Sequence, residues 1–280
     1  MVKLYLREMR IKSWIKNLFV FCPVVFSLEL FEKEKFLEAV VLTLSFCLIS
    51  SAIYMFNDIN DAENDRKHAI KKDRPIASGE ITITRAIVLT VILTLAGLGV
   101  GLYVNWQAFL YMFVYVLVNI LYSKWLKRMA IIDCFCIAAG FVLRVMAGGT
   151  IVTLGVSNWM FLTVLGMALF MAFGKRRGEL CAYSGGETRT VLDVYDLNFL
   201  NGIVFMCAGL TVMFYSLWSI SQKPRLVYSV PFVVFIVARY LLLVFKGRAD
   251  ADPTSLLFSD RALLISCFLC GIIMLALLYA

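Results

Sequence analysis

Nine apolar stretches run along this chain, each close to the length of a membrane-crossing helix. Crossing the hydrocarbon core takes about 20 residues, so nine helices would use about 180 of the 280 residues and leave only an arm and connections. The chain is 61% hydrophobic and 16% charged, against about 45–50% and about 25% in soluble domains. The sequence therefore predicts an all-α, polytopic membrane protein with nine transmembrane helices and excludes an additional soluble domain. The predicted spans are 16–31, 36–57, 85–104, 106–123, 131–153, 157–174, 200–222, 227–246 and 261–279.

Positive charges are distributed unevenly between the two ends of these spans. Of the 27 Lys and Arg residues, 21 lie in the N-terminal arm or after the second, fourth, sixth and eighth spans. The positive-inside rule then predicts a cytoplasmic N-terminus, cytoplasmic long loops and an external C-terminus. Anionic lipid headgroups attract such cations, so membrane lipids account for the net charge of +8 and no nucleic-acid partner is expected.

We therefore expect one transmembrane domain over residues 1–280, with a cytoplasmic arm at 1–15 and catalytic cytoplasmic loops at 58–84 and 175–199. The first apolar stretch has no small-residue cleavage site and is interpreted as a retained helix. The expected location is the plasma (inner) membrane, with the active site on the cytoplasmic side. The sequence does not decide whether the protein forms a homo-oligomer.

The eight cysteines predict neither a disulfide framework nor a zinc site. Seven lie in apolar runs, only Cys181 lies in a polar loop, and His68 is the only histidine of the chain. A structural zinc needs about four sulfur or nitrogen ligands in paired sets. We interpret the thiols as packing residues.

Acidic residues follow the second predicted span without a break. Asp58, Asp61 and Asp65 are spaced i, i+3 and i+7, so they form one stripe if the helix continues. Their charges repel one another, and a helix C-terminus disfavours acids. Because Mg²⁺ binds carboxylates together with substrate phosphates and water, we predict a magnesium site here. The alternative is a solvated acidic helix end whose negative charge is offset by neighbouring Lys and Arg residues.

The next segment is a cationic loop. Lys71, Lys72 and Arg74 precede Pro75, and Gly79 follows, which indicates a loop before the third span. Cations beside a carboxylate–metal site are suited to a diphosphate, because together they neutralise the charge of a leaving group.

These two segments resemble a known motif. Residues 57–66 read Asn-Asp-x-x-Asp-x-x-x-Asp-Arg, and residues 71–79 read Lys-x-x-Arg-Pro-Ile-Ala-Ser-Gly. On this motif the chain resembles the UbiA-type intramembrane prenyltransferase superfamily, which implies a UbiA-like bundle of nine helices and a Mg²⁺-dependent transferase. The substrate-binding residues that it implies are Asn57, Arg66, Lys71 and Arg74.

Further segments resemble one branch of the superfamily, the polyprenyl-phosphate (decaprenyl-phosphate) phosphoribosyltransferases. These are residues 10–17, 122–127, 140–149 and 174–180. The resemblance implies transfer of 5-phosphoribose from phosphoribosyl pyrophosphate to a long-chain polyprenyl phosphate, with release of pyrophosphate. Beside the three aspartates, the candidate catalytic residues are Lys16, Asn17 and Arg144. The further substrate-binding candidates are Tyr122, Lys124, Lys127, Asp133, Lys175, Arg176, Glu179 and Arg189.

The loop after the sixth span distinguishes this branch from the aromatic prenyltransferases. Those carry a second Asp-x-x-x-Asp motif there, whereas this chain has cations at 175–177 and a pair, Asp193 and Asp196, that is one residue short of that spacing. A cationic loop is better suited to binding another phosphate than a second metal, although the shifted pair could still bind a metal. The alternative is a transferase that moves a polyprenyl group from its diphosphate to an aromatic acceptor such as 4-hydroxybenzoate.

A secondary transporter is an alternative from a different class of protein. It would show repeat halves with interrupted helices, and the sequence shows no convincing repeat of this kind.

Arg144 is a charge deep within the fifth predicted span. Such a charge is costly and normally faces protein or water. Asp133, Gly140 and Arg144 share one helix face, and we expect that face to line a cavity open to the cytoplasm. A structural ion pair with an acid on a neighbouring helix is the alternative.

Overall fold

The computed structural model describes residues 2–67, 71–181, 190–246 and 253–279. Within these ranges the chain consists of α-helices, short 3-10 segments and turns without any β-strand, which confirms the all-α prediction. The α-helices are α1 (Val2–Glu8), α2 (Cys22–Phe26), α3 (Lys33–Lys67), α4 (Ile83–Val104), α5 (Trp106–Lys124), α6 (Ile132–Gly149), α7 (Asn158–Cys181), α8 (Leu197–Gln222), α9 (Val230–Phe245), α10 (Pro253–Ser259) and α11 (Arg261–Tyr279).

Eight helices in the described ranges are long and apolar enough to cross a membrane. The protein is therefore an integral membrane protein. The first predicted span, 16–31, is not among the eight. Its residues belong to a 3-10 helix, Ile11–Phe21, and to the short α2, which has Pro23 in its first turn. Proline is suited to the start of a helix because it has no N–H to donate, so a new element begins here. The count of nine crossings is not confirmed.

Helix α3 is much longer than a membrane crossing needs. Its 35 residues extend about 52 Å at about 1.5 Å per residue, whereas the hydrocarbon core is about 30 Å thick. The helix continues unbroken through Asp58, Asp61 and Asp65 and ends at Lys67. The three aspartates therefore lie on the last turns of one continuous helix, as their spacing predicted.

The chain divides into two compact units. The first unit is Met1–Lys127 with Leu143–Gly155, and the second is Arg128–Val142 with Val156–Ala280. The expectation of a single transmembrane domain over residues 1–280 stays a prediction.

Each unit has its own apolar core. In the first unit, Phe46, Ile49 and Met112 are fully buried where α3 packs against α5 and the 3-10 helix. In the second unit, Phe170 and Phe173 of α7 pack with residues of α8 and α9.

A glycine lets the N-terminal segment approach α6 closely. A Cβ atom added to Gly148 would lie 2.0 Å from the backbone oxygen of Val20. Only a residue without a side chain fits at that distance. Gly148 therefore helps to seat the 3-10 helix, which carries Lys16 and Asn17, in the first unit.

Candidate active site

Asp58 and Asp65 share one cation. Nη1 of Arg74 lies 2.9 Å from Oδ1 of Asp58 and 2.7 Å from Oδ2 of Asp65. Both carboxylates are buried, each residue being 4% exposed. Spacing of i and i+7 on α3 sets the two acids on one face, and the loop after α3 brings Arg74 back to them. The predicted stripe and the predicted cationic loop therefore meet.

A second guanidinium group reaches the same site from the N-terminal arm. Nη2 of Arg10 donates to both carboxylate oxygens of Asp58, at 2.6 and 2.7 Å, and its guanidinium carbon lies 5.0 Å from the ring centroid of Tyr54. Burial alone would lower the pKa of Arg10, but the Asp58 carboxylate, together with Tyr54 and Glu8, offsets this and raises the pKa above its usual value. Arg10 also has φ of 49°, a left-handed conformation that is costly for a residue with a side chain. This turn between α1 and the 3-10 helix directs Arg10 to Asp58.

Asp61 lies at the more exposed edge of the site. Its Oδ1 accepts a hydrogen bond of 2.7 Å from Nζ of Lys127, and the two side chains are 35% and 21% exposed. Arg66 is exposed and donates from Nε to the backbone oxygen of Ala77 at 3.1 Å. Arg66 therefore contacts the loop that follows α3.

Glu8 is a member of this site that the sequence analysis missed. It is buried at 2% exposure, and its pKa is raised to about 7, first by burial and then by the neighbouring Asp58 carboxylate. One signal was available: Glu8 is the only acidic residue before Glu29. A single acid in a cationic arm suggests a specific partner.

The donor set suits a hard divalent cation in part. Among the described residues, no group of three or more His, Cys, Asp or Glu side chains is arranged to hold a metal ion as it stands. Nevertheless, one nitrogen of Arg74 contacts both Asp58 and Asp65, so a single cation between these carboxylates can be shared by them. Carboxylate oxygens are the ligands that Mg²⁺ prefers. Two of the three predicted metal ligands therefore fit one cation position, and Asp61 is paired with Lys127 instead.

Arg144 and Asn17 are joined in a buried network of the first unit. Arg144 donates from Nε to Oδ1 of Asn17 at 2.7 Å and from Nη2 to the hydroxyl of Tyr115 at 2.8 Å. The amide nitrogen of Asn17 donates to Ser50 Oγ at 3.1 Å and to Cys47 Sγ at 3.2 Å. The side-chain amide of Asn17 therefore accepts a hydrogen bond from Arg144 with its oxygen and is held by α3 through its nitrogen. Asn17 thereby orients Arg144.

The second unit contains a closed network around Arg176. Nε of Arg176 lies 2.5 Å from Oδ2 of Asp133, and Nη1 contacts Oε2 of Glu179. The hydroxyl of Tyr195 donates to Oδ1 of Asp133 at 2.7 Å and accepts from the backbone N–H of Ile131 at 2.6 Å. Burial raises the pKa of Tyr195, so its hydroxyl stays protonated and can donate.

This network changes the expected roles of three residues. Arg176 is fully buried and Asp133 is likewise 0% exposed, so they do not present polar groups to a surface where a soluble substrate could bind. The prediction that Arg176 contacts a phosphate directly is not supported by its surroundings. With Glu179, these residues form a buried ion-pair network that fixes the cytoplasm-facing end predicted for α7.

One acid of the shifted pair has a local structural role. Asp196 is the N-cap of α8, since its Oδ2 accepts from the backbone N–H groups of Asn198 and Phe199 at 2.9 and 3.1 Å. This capping role explains one acid of the shifted pair without a second metal. Arg189 lies outside the described residues. Half-buried candidates are Lys16, Asn57, Tyr122 and Lys175, and exposed ones are Lys71 and Lys124.

These observations define a class of protein. The chain is an all-helical integral membrane protein in which carboxylates and guanidinium groups meet on the last turns of one long apolar helix. Its sequence matches the UbiA prenyltransferase family over residues 18–264, and the chain belongs to this family of membrane transferases. The resemblance inferred from the motifs is thereby confirmed.

Curated relatives are similar over most of their length. The chain is 30% identical to the decaprenyl-phosphate phosphoribosyltransferase of Mycolicibacterium smegmatis, covering 93% of this chain and 87% of the relative. It is 31% identical to the protein of the same name from Corynebacterium glutamicum, covering 92% of this chain and 81% of the relative.

Solved structures share the fold. A UbiA homolog from Archaeoglobus fulgidus, bound to GPP and Mg²⁺, superposes with a TM-score of 0.75 at 19% identity, covering 99% of this chain and 100% of that chain. An apo UbiA homolog from Aeropyrum pernix has a TM-score of 0.71 at 13% identity, covering 94% and 98%. At these identities, the likeness establishes the fold alone.

Proposed function

We propose that this protein transfers 5-phosphoribose from phosphoribosyl pyrophosphate to a long-chain polyprenyl phosphate. The observation that carries the proposal is similarity over 92–93% of the chain to two proteins named decaprenyl-phosphate phosphoribosyltransferase. In this reaction, an oxygen of the acceptor phosphate forms a bond to the anomeric carbon of the ribose. The bond from that carbon to pyrophosphate breaks, and pyrophosphate leaves with the bonding electron pair.

We infer that Mg²⁺ is the cofactor and that Asp58, Asp61 and Asp65 hold it. The shared contact of Arg74 with two of these carboxylates supports this inference, as does the Mg²⁺ bound to the A. fulgidus homolog of the same fold. When bound, the ion supplies positive charge that stabilises the leaving pyrophosphate.

Arg10 and Arg74 are proposed to bind the pyrophosphate. Both side chains are about one-third exposed, at 33% for Arg10 and 30% for Arg74, so a phosphate can approach them. Guanidinium groups match phosphate oxygens with two parallel hydrogen bonds. Metal binding at Asp58 and Asp65 would release them for this contact. The other proposed contacts of this loop region are Asn57, Arg66, Lys71 and Lys127.

The acceptor does not require a general base. Its phosphate is largely ionised at neutral pH, because the second pKa of a phosphate monoester is about 6. The reaction instead needs a fixed positive charge that positions the acceptor oxygen. We propose Arg144 for this role, since Asn17 and Tyr115 hold its guanidinium group. Additional substrate contacts are proposed for Lys16, Tyr122, Lys124 and Arg189.

In the second unit, we propose that Lys175 binds a substrate phosphate and that Arg176 positions it. Lys175 is half-buried and directly precedes Arg176, which Asp133 and Glu179 hold in place. A fixed neighbour restricts the backbone from which Lys175 extends. Arg176, Asp133 and Glu179 are therefore positioning residues in this proposal.

We propose that the N-terminus and the long loops are cytoplasmic, that the plasma membrane is the location, and that Ile11–Phe26 provides the ninth crossing. A 3-10 helix rises about 2.0 Å per residue, so these 16 residues can extend about 30 Å. Reporter tags should place the N-terminus inside and the C-terminus outside. Finding both termini on one side would contradict an odd number of crossings.

The function is tested with purified protein, Mg²⁺, radiolabelled phosphoribosyl pyrophosphate and decaprenyl phosphate. We expect radiolabelled lipid, and we expect its formation to stop when EDTA removes the metal. The same preparation is then given a polyprenyl diphosphate and 4-hydroxybenzoate. Product in this second reaction with none in the first would reject phosphoribosyl transfer in favour of aromatic prenylation.

A further inference from the structure

The short connection between α8 and α9 carries two cations, Lys223 and Arg225. Helix α8 and the segment Pro224–Phe245 are each long and apolar enough to cross a membrane, so the connection between them lies at a membrane surface. Its 3-10 helix, Pro224–Ser229, packs against α8, α9 and α11. None of these four elements contains an Asp or Glu residue. The two positive charges are therefore not neutralised by a side chain of the elements that surround them.

The two cations line a cavity at this surface. Lys223 and Arg225 surround it together with Pro224 and with Leu277 of α11, and its volume is about 280 Å³. Pockets that enclose a whole small molecule have volumes of about 300–1,000 Å³. The cavity therefore suits a compact anionic group that has an apolar portion beside it, rather than a large polar molecule.

Hydrogen bonds hold the walls of the cavity in place. Nζ of Lys223 donates to the backbone oxygen of Leu278 at 2.6 Å, which joins the connection to the end of α11. The hydroxyl groups of Tyr215 and Ser229 lie 2.6 Å apart, which joins the other end of the connection to α8. Arg225 extends from the segment between these two ties, and its side chain is exposed. A cation on a fixed backbone loses less conformational freedom when it binds an anion.

We propose that this cavity binds the phosphate headgroup of an anionic phospholipid. The guanidinium group of Arg225 can donate two parallel hydrogen bonds to phosphate oxygens, and Lys223 adds a second positive charge. A zwitterionic lipid brings its own cation, so two protein cations favour a headgroup with net negative charge. The acyl chains would lie outside the cavity, against Leu277 and against Ile220, which is 54% exposed.

This site differs from the general attraction of cations to headgroups. Most cations of the chain lie on the side predicted to be cytoplasmic, and the connection lies on the opposite side. The bound lipid would then belong to the outer leaflet. Lys33, an exposed cation at the start of α3, is predicted to lie on the same side. It provides a matched control, because its loss changes the charge of that surface by the same amount.

Photocrosslinking in vesicles locates the lipid on the full-length protein. The wild type, Arg225→Gln, Arg225→Lys and Lys33→Gln are reconstituted in phosphatidylcholine with a small fraction of phosphatidylglycerol that carries a photoreactive headgroup. Mass spectrometry of peptides then measures labelling of residues 220–229 and 272–279. Ordinary phosphatidylglycerol should compete for this labelling, whereas phosphatidylcholine and inorganic phosphate should not.

Arg225→Gln should lower the labelling of these peptides about tenfold at subsaturating lipid, as expected for loss of one charge-assisted hydrogen bond. Arg225→Lys keeps the charge and should lose less, and Lys33→Gln should be labelled as the wild type is. The Tm of Arg225→Gln should match that of the wild type, because the side chain is exposed.

Four results would overturn the proposal. They are wild-type protein without labelling of these peptides, equal labelling of Arg225→Gln, equal losses in Arg225→Gln and Lys33→Gln, and failure of Arg225→Gln to fold. Competition by phosphatidylcholine would show a contact without headgroup selectivity, and competition by inorganic phosphate would show a site for free phosphate. Either of these two results would also reject an anionic phospholipid as the specific ligand.

Discussion

The two arginine–aspartate clusters of this chain differ in how well water reaches their cations. In the first unit, the side chains of Arg10 and Arg74 are 33% and 30% exposed while they contact the nearly buried Asp58. In the second unit, Arg176 is 1% exposed and Asp133 is 0% exposed. At the first cluster, solvent therefore reaches the arginine side chains, as the proposed binding of a phosphate by Arg10 and Arg74 requires. The second cluster is sealed, and breaking it would leave charges buried without partners.

Each cluster is also associated with a backbone residue in the left-handed region. Arg10 has φ of 49° and Ile131 has φ of 70°, and the latter is a rare conformation for a β-branched residue. The strain at Arg10 directs a partly exposed side chain to Asp58. The N–H of Ile131 is instead bound by the buried hydroxyl of Tyr195. The left-handed backbone conformation is costly at both residues. In the first unit it accompanies a partly exposed contact between Arg10 and Asp58, and in the second unit it accompanies a buried hydrogen bond between Ile131 and Tyr195.

The largest expected effect is on stability, and it tests whether the second cluster is structural. Arg176→Met should lower the free energy of unfolding by about 3–5 kcal/mol, because Asp133 and Glu179 would lose their buried cation. Denaturant unfolding in detergent measures the change. Arg128→Met, which removes an exposed cation of the same unit, should change stability by no more than about 0.5 kcal/mol. If the Arg176→Met protein is as stable as the wild type and has a raised KM for phosphoribosyl pyrophosphate, then Arg176 binds the phosphate directly and the structural role is wrong.

The next effect tests whether the first cluster is catalytic. Asp58→Asn should lower turnover at least about a hundredfold, because it would remove an anion that we propose to hold the metal, and Asp61→Asn and Asp65→Asn should act similarly. The partly exposed arginines can be solvated, so the loss of stability should be smaller than for Arg176→Met. Turnover is measured across a Mg²⁺ titration. Glu38→Gln is the control, since it lies on α3 about 30 Å along the helix axis from Asp58. Near-normal turnover in all three aspartate variants would refute the metal site.

Lys175 provides a test within the second unit that separates binding from stability. Lys175→Ala should raise the KM for phosphoribosyl pyrophosphate, since a charged hydrogen bond is worth about 1.5–3 kcal/mol. That corresponds to a loss of kcat/KM of roughly ten- to hundredfold. The Tm should stay near the wild-type value, in contrast to the Arg176 variant, and Lys175→Arg should recover part of the affinity. Unchanged kinetics would mean that the charge of Lys175 contributes only to the orientation of the protein in the membrane.

The smallest effect probes the edge of the sealed cluster. Tyr195→Phe removes the hydrogen bonds to Asp133 and from the N–H of Ile131. We expect a loss of about 1 kcal/mol in the free energy of unfolding and little change in kcat. Tyr228→Phe, at a residue that is 70% exposed, should have no measurable effect. A large loss of turnover at wild-type stability would show that Tyr195 acts in the reaction.

The sequence patterns predicted only those contacts of the site that form between residues close together in the chain. The stripe of Asp58 and Asp65 follows from helical periodicity within α3, and the return of Arg74 spans only a short loop. Arg10 meets Asp58 across 48 residues, which periodicity cannot indicate. The charge of Arg176 suggested a phosphate ligand, but charge does not reveal burial. In the same way, the apolar run at 16–31 indicated a span without showing that its first part is a 3-10 helix.

The sequence by itself determined the membrane class, the helical fold, the family and the stripe of acids, because composition, periodicity and motif spacing are properties of neighbouring residues. Tertiary structure alone decided the partners of each charge. It paired Asp58 with Arg10 and Arg74, brought Glu8 to Asp58, and enclosed Arg176 between Asp133 and Glu179. The physical reason is that the effect of a charge depends on its exposure and on its neighbours in space, and both depend on contacts between residues far apart in the chain.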